Sequence, residues 1–132
     1  MNSNYQKTLS NIVSFSGVGL HTGKISKVNI LPKGDNHGIV FKRTDLQKNN
    51  LIEANFKNVS SARLCTTLEN SKGAKVSTVE HLLAAFYIAE IDNALIEIDS
   101  EEVPIMDGSA KDFLKILKET GVKTLQRKRK YL

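Results

Sequence analysis

Three histidines, one cysteine and several carboxylates are the residues of this 132-residue sequence that could bind a metal or act in catalysis. Glu80 and His81 are adjacent, where the pattern predicts the start of a helix. A histidine at the rim of a sheet can bind zinc, and a nearby carboxylate can take a proton from water. The alternative is structural, because Ser77 and Glu80 have the spacing of a capping box and His81 is then a surface residue. The dipeptide alone favours the structural interpretation.

The two other histidines lie far from this pair in the sequence, whereas a catalytic zinc site needs about three protein ligands. His37 lies in the polar stretch 33–38, where a solvated turn is the simplest interpretation. His21 lies in the glycine-rich segment 17–23, where the backbone could approach a ligand closely. The segment is a weak phosphate loop, because neither a helix nor a Lys-Ser or Lys-Thr pair follows it. A hairpin turn and a binding loop are equally consistent with it.

Cys65 and Asp107 also have simple structural interpretations. A catalytic thiol needs a base and an electropositive setting. Cys65 instead has Leu64 and Leu68 nearby, which favours a small hydrophobic residue in a strand that packs or lines a cleft. Asp107 precedes a predicted helix, and capping that helix is the usual role of an aspartate at such a position.

The pattern of apolar residues predicts strands first and helices late. Segments that mix β-branched or apolar residues with polar ones predict strands at 8–15, 25–31, 39–43, 51–56, 65–68 and 94–99. Apolar residues at helical spacing predict helices at 78–90 and 110–120, the second closed by Gly121. This order predicts an α+β two-layer sandwich, with one mainly antiparallel sheet covered on one face by two helices.

Composition and charge restrict the class of protein. With 40% hydrophobic residues, one compact domain is expected over 1–121, followed by a basic tail or linker at 122–132. The net charge of +5 comes largely from that tail, but with only five Phe and three Tyr a base-stacking surface for nucleic acid is not expected. No apolar run approaches the roughly 20 residues of a membrane span. The protein is therefore expected to be soluble. A single cysteine cannot form an internal disulfide, which fits a reducing compartment, so a cytoplasmic location is expected.

Five segments in order are far more specific together than any one alone. They are GVGLHTG at 17–23, LCTTL at 64–68, STVEHL at 77–82, IDN at 91–93 and PIMDGSA at 104–110. The series resembles the first domain of UDP-3-O-acyl-N-acetylglucosamine deacetylases and covers the chain to about Gly121. The resemblance implies a cytoplasmic zinc hydrolase of Gram-negative bacteria that acts in lipid A (lipopolysaccharide) biosynthesis. It also implies two similar α+β domains with the active site between them.

The resemblance also implies roles for individual residues. Glu80 matches the catalytic glutamate that takes a proton from water, and His81 matches the first zinc ligand. Leu64 and Cys65 match the edge of the cleft beside the metal, His21 matches a loop near the nucleotide, and Asp107 matches a supporting position near the site. The other zinc ligands and the acyl-chain passage belong to the second domain of such enzymes. The isolated chain is therefore expected to fold, to bind little zinc and to be inactive, whether it is an expression fragment or the product of an interrupted gene.

Two other functions are compatible with the sequence. A binding or assembly module could keep the fold and use the face that would otherwise meet the second domain, and this face would also promote self-association. A basic nucleic-acid-binding domain is the third and weakest hypothesis, since only the terminal charge supports it.

Overall fold

Five strands form the central sheet, in the order β2 (Val13–Val18), β3 (Ile25–Pro32), β9 (Ala94–Ile98), β4 (Ile39–Arg43) and β5 (Leu51–Glu53). The computed structural model describes residues 4–62 and 64–130. The described strands are β1 Tyr5–Leu9, β2 Val13–Val18, β3 Ile25–Pro32, β4 Ile39–Arg43, β5 Leu51–Glu53, β6 Val59–Ser61, β7 Thr67–Glu69, β8 Lys75–Ser77, β9 Ala94–Ile98 and β10 Val122–Lys128. The helices are α1 Glu80–Ile88 and α2 Lys111–Thr120, and Phe56–Asn58 form a short 3-10 helix. Neighbouring strands of the central sheet are antiparallel except β4 and β9, so the predicted α+β class and mainly antiparallel pairing are confirmed.

The expectation of a single sheet is corrected, because two smaller sheets accompany the central one. β6, β7 and β8 form one of them, and β1 pairs with β10 in the other. The segment 8–15, expected as one strand, is divided by a bend between β1 and β2. The segment 51–56 stops being a strand at Glu53, because the Asn55 side chain accepts a hydrogen bond from Lys57 N and opens the 3-10 helix.

Residues 122–128, which the sequence suggests as a tail or linker, form β10 along β1. Gly121 ends α2 as predicted, at φ 92°, and its carbonyl accepts a hydrogen bond from Ser10 N. Just beyond β10, Arg129 Nε lies 2.9 Å from Asp92 Oδ1, which fastens this end of the chain to the loop before β9. Because side chains of β10 are mainly exposed and polar, backbone pairing rather than an apolar pattern holds this strand.

Both helices contribute to one hydrophobic core with the inward side chains of the central sheet. Ile96 and Ile98 of β9 are fully buried in it, and Phe113 of α2 contacts the ring of Phe15 at a centroid distance of 5.4 Å. Each large side chain buried in this way stabilises the fold by about 1.5–3 kcal/mol. Among the residues described, neither helix is long and apolar enough to cross a membrane.

The outer surface of α1 is apolar rather than charged. Tyr87 is 86% exposed and Ile88 is 55% exposed, and Ala84 lies one turn earlier on the exposed side. A helix that is apolar on every side is usually covered on every side. The surface formed by Ala84, Tyr87 and Ile88 is called the α1 outer face below.

Candidate active site at the start of α1

The chain enters α1 through an unusual backbone conformation at Thr78. Its φ is +60°, a region that β-branched residues rarely adopt and that costs on the order of 1–3 kcal/mol. The Thr78 hydroxyl donates a 2.6 Å hydrogen bond to Glu102 Oε2, and the next residue, Val79, donates from its N to Thr66 O at 3.3 Å. The turn at Thr78, called the Thr78 corner below, is held by these contacts. The helix therefore begins at Glu80 rather than at residue 78 as predicted.

Glu80 does not serve as the predicted capping partner of Ser77. Val79 is the N-cap residue of α1 and gives no side-chain cap, so Glu80 is the first helical residue rather than the third. Ser77 belongs to β8, and its Oγ accepts a hydrogen bond from the Thr67 hydroxyl at 3.1 Å. The capping-box interpretation is therefore wrong, because the left-handed turn at Thr78 separates Ser77 from the helix.

The Glu80 side chain instead turns toward the segment that precedes β7. Its Oε1 accepts a 3.2 Å hydrogen bond from Thr66 N, next to Leu64 and Cys65. Leu64 is 83% exposed, while Cys65 is half-buried in a bend, with its Sγ 3.9 Å from the Thr67 hydroxyl. Cys65 is thus not a strand residue as predicted, and it is the next residue, Thr66, whose backbone contacts Glu80.

His81 is half-buried in the first turn of α1. Within the described parts of the chain its ring has no hydrogen-bond partner. His37, by contrast, places Nδ1 2.8 Å from Gly38 O, as expected of a turn residue. Over residues 4–62 and 64–130, no group of three or more His, Cys, Asp or Glu side chains could hold a metal ion.

The buried carboxylate of Glu102, which the sequence analysis did not single out, joins the His21 loop to the Thr78 corner. Glu102 Oε1 accepts from Thr22 N at 2.8 Å and from His21 N at 3.0 Å, while Oε2 accepts from the Thr78 hydroxyl. Burial raises the pKa of Glu102, but the donors Thr78, Thr22 and His21 outweigh it, so this pKa lies below its ordinary value. The sequence held no signal for it, because Ser100, Glu101 and Glu102 follow the predicted strand 94–99 with the pattern of an exposed polar loop.

Asp107 lies apart from these groups. It accepts hydrogen bonds from Ser109 N at 3.0 Å and from the Ser109 hydroxyl at 2.9 Å, and these donors lower its pKa. Ser109 Oγ in turn accepts from Lys111 N, so Ser109 rather than Asp107 serves the start of α2 and the predicted cap is wrong. The hydrogen bonds of Asp107 do not reach Glu80 or His81 within the part of the chain described, and its supporting role stays a prediction.

Known proteins resemble nearly the whole chain. The model of the LpxC family, UDP-3-O-acyl N-acetylglycosamine deacetylase, matches residues 6–132. Proteins named UDP-3-O-acyl-N-acetylglucosamine deacetylase are 48% identical in Geotalea uraniireducens, 49% in Citrifermentans bemidjiense and 44% in Shewanella baltica, each over 128 residues. These alignments cover 97% of this chain but only 41–42% of the relatives, so the chain spans about two fifths of their length. The chain belongs to the UDP-3-O-acyl N-acetylglycosamine deacetylase family.

Proposed function

We propose that this chain provides part of the active site of a zinc-dependent hydrolase that removes the N-acetyl group from UDP-3-O-acyl-N-acetylglucosamine in lipid A biosynthesis. Membership of the family supports the reaction class. The position of Glu80 is the observation that supports the roles of individual residues. Its side chain does not cap α1 and instead accepts a hydrogen bond from Thr66 N.

Glu80 is proposed as the general base. Thr66 N fixes its Oε1, and in the described part of the chain Oε2 has no partner. One oxygen is therefore oriented while the other can accept a proton from water, and a base must lie within hydrogen-bond reach of the proton that it removes. Thr66 thus has a positioning role for the base.

His81 is proposed as one ligand of the zinc ion, because its ring nitrogens are not engaged elsewhere in the described chain. When bound, zinc would polarise the acetyl carbonyl and lower the pKa of water. Since His81 is not part of a three-donor cluster here, the remaining ligands are expected from the portion of the relatives that this chain does not match. By itself the chain should bind little zinc and release no acetate.

Substrate contacts are proposed for Leu64, Cys65 and His21. The exposed Leu64 side chain, two residues before Thr66, would offer apolar contact, and the half-buried Cys65 would line the same edge. The exposed side chain of His21 lies on the loop that Glu102 joins to the Thr78 corner, which suits the nucleotide end of the substrate. A cytoplasmic location follows from this substrate as part of the proposal.

The α1 outer face is proposed to pack against a second domain of the same enzyme. Its exposed aromatic and aliphatic side chains also support the alternative function, a non-catalytic assembly module that uses this face for a partner or for self-association. Light scattering over a range of concentrations would detect self-association. If a Tyr87→Ser variant forms a dimer as readily as the wild type, the α1 outer face does not mediate self-association.

The proposed function is tested by zinc-dependent acetate release from the substrate. The chain is assayed alone and mixed with the separately expressed remainder of a relative. We expect activity only in the mixture. Glu80→Ala and His81→Ala should each lower it by about 10²–10⁴-fold, because base and ligand act on the reacting atoms. Glu119→Ala and His37→Ala are matched controls at an exposed helix position and a turn, and both should leave the rate unchanged.

Each contrary outcome has a definite meaning. Acetate release by the chain alone would contradict a divided active site. Equal activity of Glu80→Ala and Glu119→Ala would show that Glu80 is not the general base. Absence of activity in the mixture, with a dimer that Tyr87→Ser abolishes, would favour the assembly module.

A further inference from the structure

Glu102 is a nearly fully buried carboxylate that has no role in the function proposed above. Its side chain is 1% exposed, yet among residues 4–62 and 64–130 it forms no ion pair. Its partners there are the N–H groups of His21 and Thr22 and the hydroxyl of Thr78. Burying an ionised carboxylate is unfavourable unless donors surround it. Here the donors come from two segments that are far apart in sequence.

We propose that Glu102 is a positioning residue that fixes the glycine loop 17–23 against the start of α1, and so sets His21 relative to Glu80 and His81. This inference rests on the proposed function for its consequence in catalysis. The structural coupling itself does not depend on that function.

The backbone of Glu102 is anchored independently of its side chain. Its carbonyl accepts a 2.6 Å hydrogen bond from the Ser26 hydroxyl on β3. The residues on either side of Glu102 are held by Ser77 of β8. Ser77 N donates to Glu101 O at 2.7 Å, and Val103 N donates to Ser77 O at 3.0 Å. The carboxylate is therefore a fixed point to which a loop and the start of a helix are attached.

The glycine loop approaches this carboxylate more closely than a side chain would permit. A Cβ on Gly19 would overlap Glu102 Oε1 and would lie 2.7 Å from the Thr22 hydroxyl oxygen. Gly19 N and Gly23 N are meanwhile bonded within the loop, to Lys24 O at 2.9 Å and to Gly19 O at 3.0 Å. The loop is thus shaped to place two amides on the carboxylate, which is more than a hairpin connection requires.

The effect on Glu80 passes through Thr78. Its left-handed backbone persists only while surrounding contacts hold it, and the bond to Glu102 is its side-chain contact. Relaxation of Thr78 to an ordinary conformation would change the direction in which the chain enters α1. Glu80 lies two residues later, so its alignment with Thr66 N would change as well.

The test uses a hydroxyl deletion that preserves shape, with a matched rescue. Thr78→Val removes the donor, Thr78→Ser restores it, and Glu102→Gln removes the charge. Glu101→Gln is the control, since Glu101 is adjacent and exposed. The chain is labelled with ¹⁵N, and amide resonances and hydrogen exchange are recorded without any partner. The same variants are assayed with the remainder of a relative.

We expect Thr78→Val to shift the amide resonances of His21 and Thr22 across the carboxylate and to speed their exchange by about tenfold or more. Thr78→Ser should retain both resonances. In the mixture, Glu102→Gln and Thr78→Val should lower kcat by about 10–100-fold, the usual effect of losing a supporting contact. The double variant should be no worse than Glu102→Gln alone, since the two residues act as one unit. Thr78→Ser should recover most of kcat.

Unchanged His21 and Thr22 amides in Thr78→Val would overturn the coupling, whatever the activity. Perturbed amides with an unchanged kcat would overturn the positioning role. An inactive wild-type mixture would instead refute the proposed function, and the amide measurements would still decide the coupling. If Glu102→Gln does not fold, the pair Thr78→Val and Thr78→Ser decides both questions, because it changes one hydroxyl.

Discussion

Replacing Gly19 with alanine measures how tightly the glycine loop packs on the buried carboxylate. The added Cβ would overlap Glu102 Oε1, and this oxygen cannot move aside without losing its bonds to Thr22 N and His21 N. Overpacking of this kind costs about 1–3 kcal/mol, and a lost hydrogen bond to a charged group costs about 1.5–3 kcal/mol. The loop can relieve the overpacking only by giving up a hydrogen bond, so the two costs do not add in full. We therefore expect a loss of about 2–3 kcal/mol in the free energy of unfolding.

Gly34→Ala is the matched control for this change. Gly34 is exposed, and a Cβ there would meet no atom of the described residues within 4 Å. Both substitutions reduce the conformational entropy of the unfolded chain alike, an effect that stabilises by about 0.4–1 kcal/mol where the native backbone permits it. Their difference in urea denaturation therefore reports the native overlap alone. If Gly19→Ala unfolds within about 0.5 kcal/mol of Gly34→Ala, the loop does not pack on the carboxylate and the reasoning is refuted.

Three further substitutions test the core, the end of the chain and the carboxylate. Leu117→Ala removes a fully buried side chain and should lower the free energy of unfolding by about 2–5 kcal/mol, whereas the exposed Leu64→Ala should change it by less than about 0.5 kcal/mol; equal effects would contradict the assigned core. Arg129→Gln removes the contact with Asp92 and should cost about 1 kcal/mol at low salt and clearly less near ~1 M NaCl, and a salt-independent loss would exclude the ion pair as its cause. The lowered pKa of Glu102 stabilises the fold above its unfolded pKa of about 4.3, and this stability is lost as pH falls through the folded pKa. Glu102→Gln should therefore be less stable than the wild type at pH 7, and this difference should shrink as the pH falls below about 4.3 in urea denaturation. An offset that does not vary with pH would show that the charge is not responsible.

Local patterns were sufficient for the elements whose side chains alternate between core and solvent. β4 and β9 and both helices lie within a few residues of their predicted bounds, since burial imposes a period on their residues. β10 follows no such rule, because its side chains stay largely exposed and its partner is at the other end of the chain. The recognised motifs located Glu80 and His81 correctly at the start of a helix.

The unpredicted part of the candidate site depends on long-range contacts. Nothing near Thr78 in the sequence indicates a positive φ, since threonine rarely adopts one. The residue that stabilises this conformation, Glu102, is 24 positions away, in a run that has the composition of a surface loop. Capping was predicted for Ser77 from spacing alone, and the turn at Thr78 is what made that spacing misleading.

The pairing of β1 with β10 has a consequence for how the polypeptide is made. Tyr5 lies opposite Lys128 and Leu9 opposite Val122, so β1 pairs with residues made more than a hundred positions later. At about 5–20 residues per second, the ribosome leaves this strand edge without its partner for several seconds or more. Pairing between such distant segments forms slowly and exposes an open edge to other chains in the meantime. Synthesis that stops before residue 122 would make that exposure permanent.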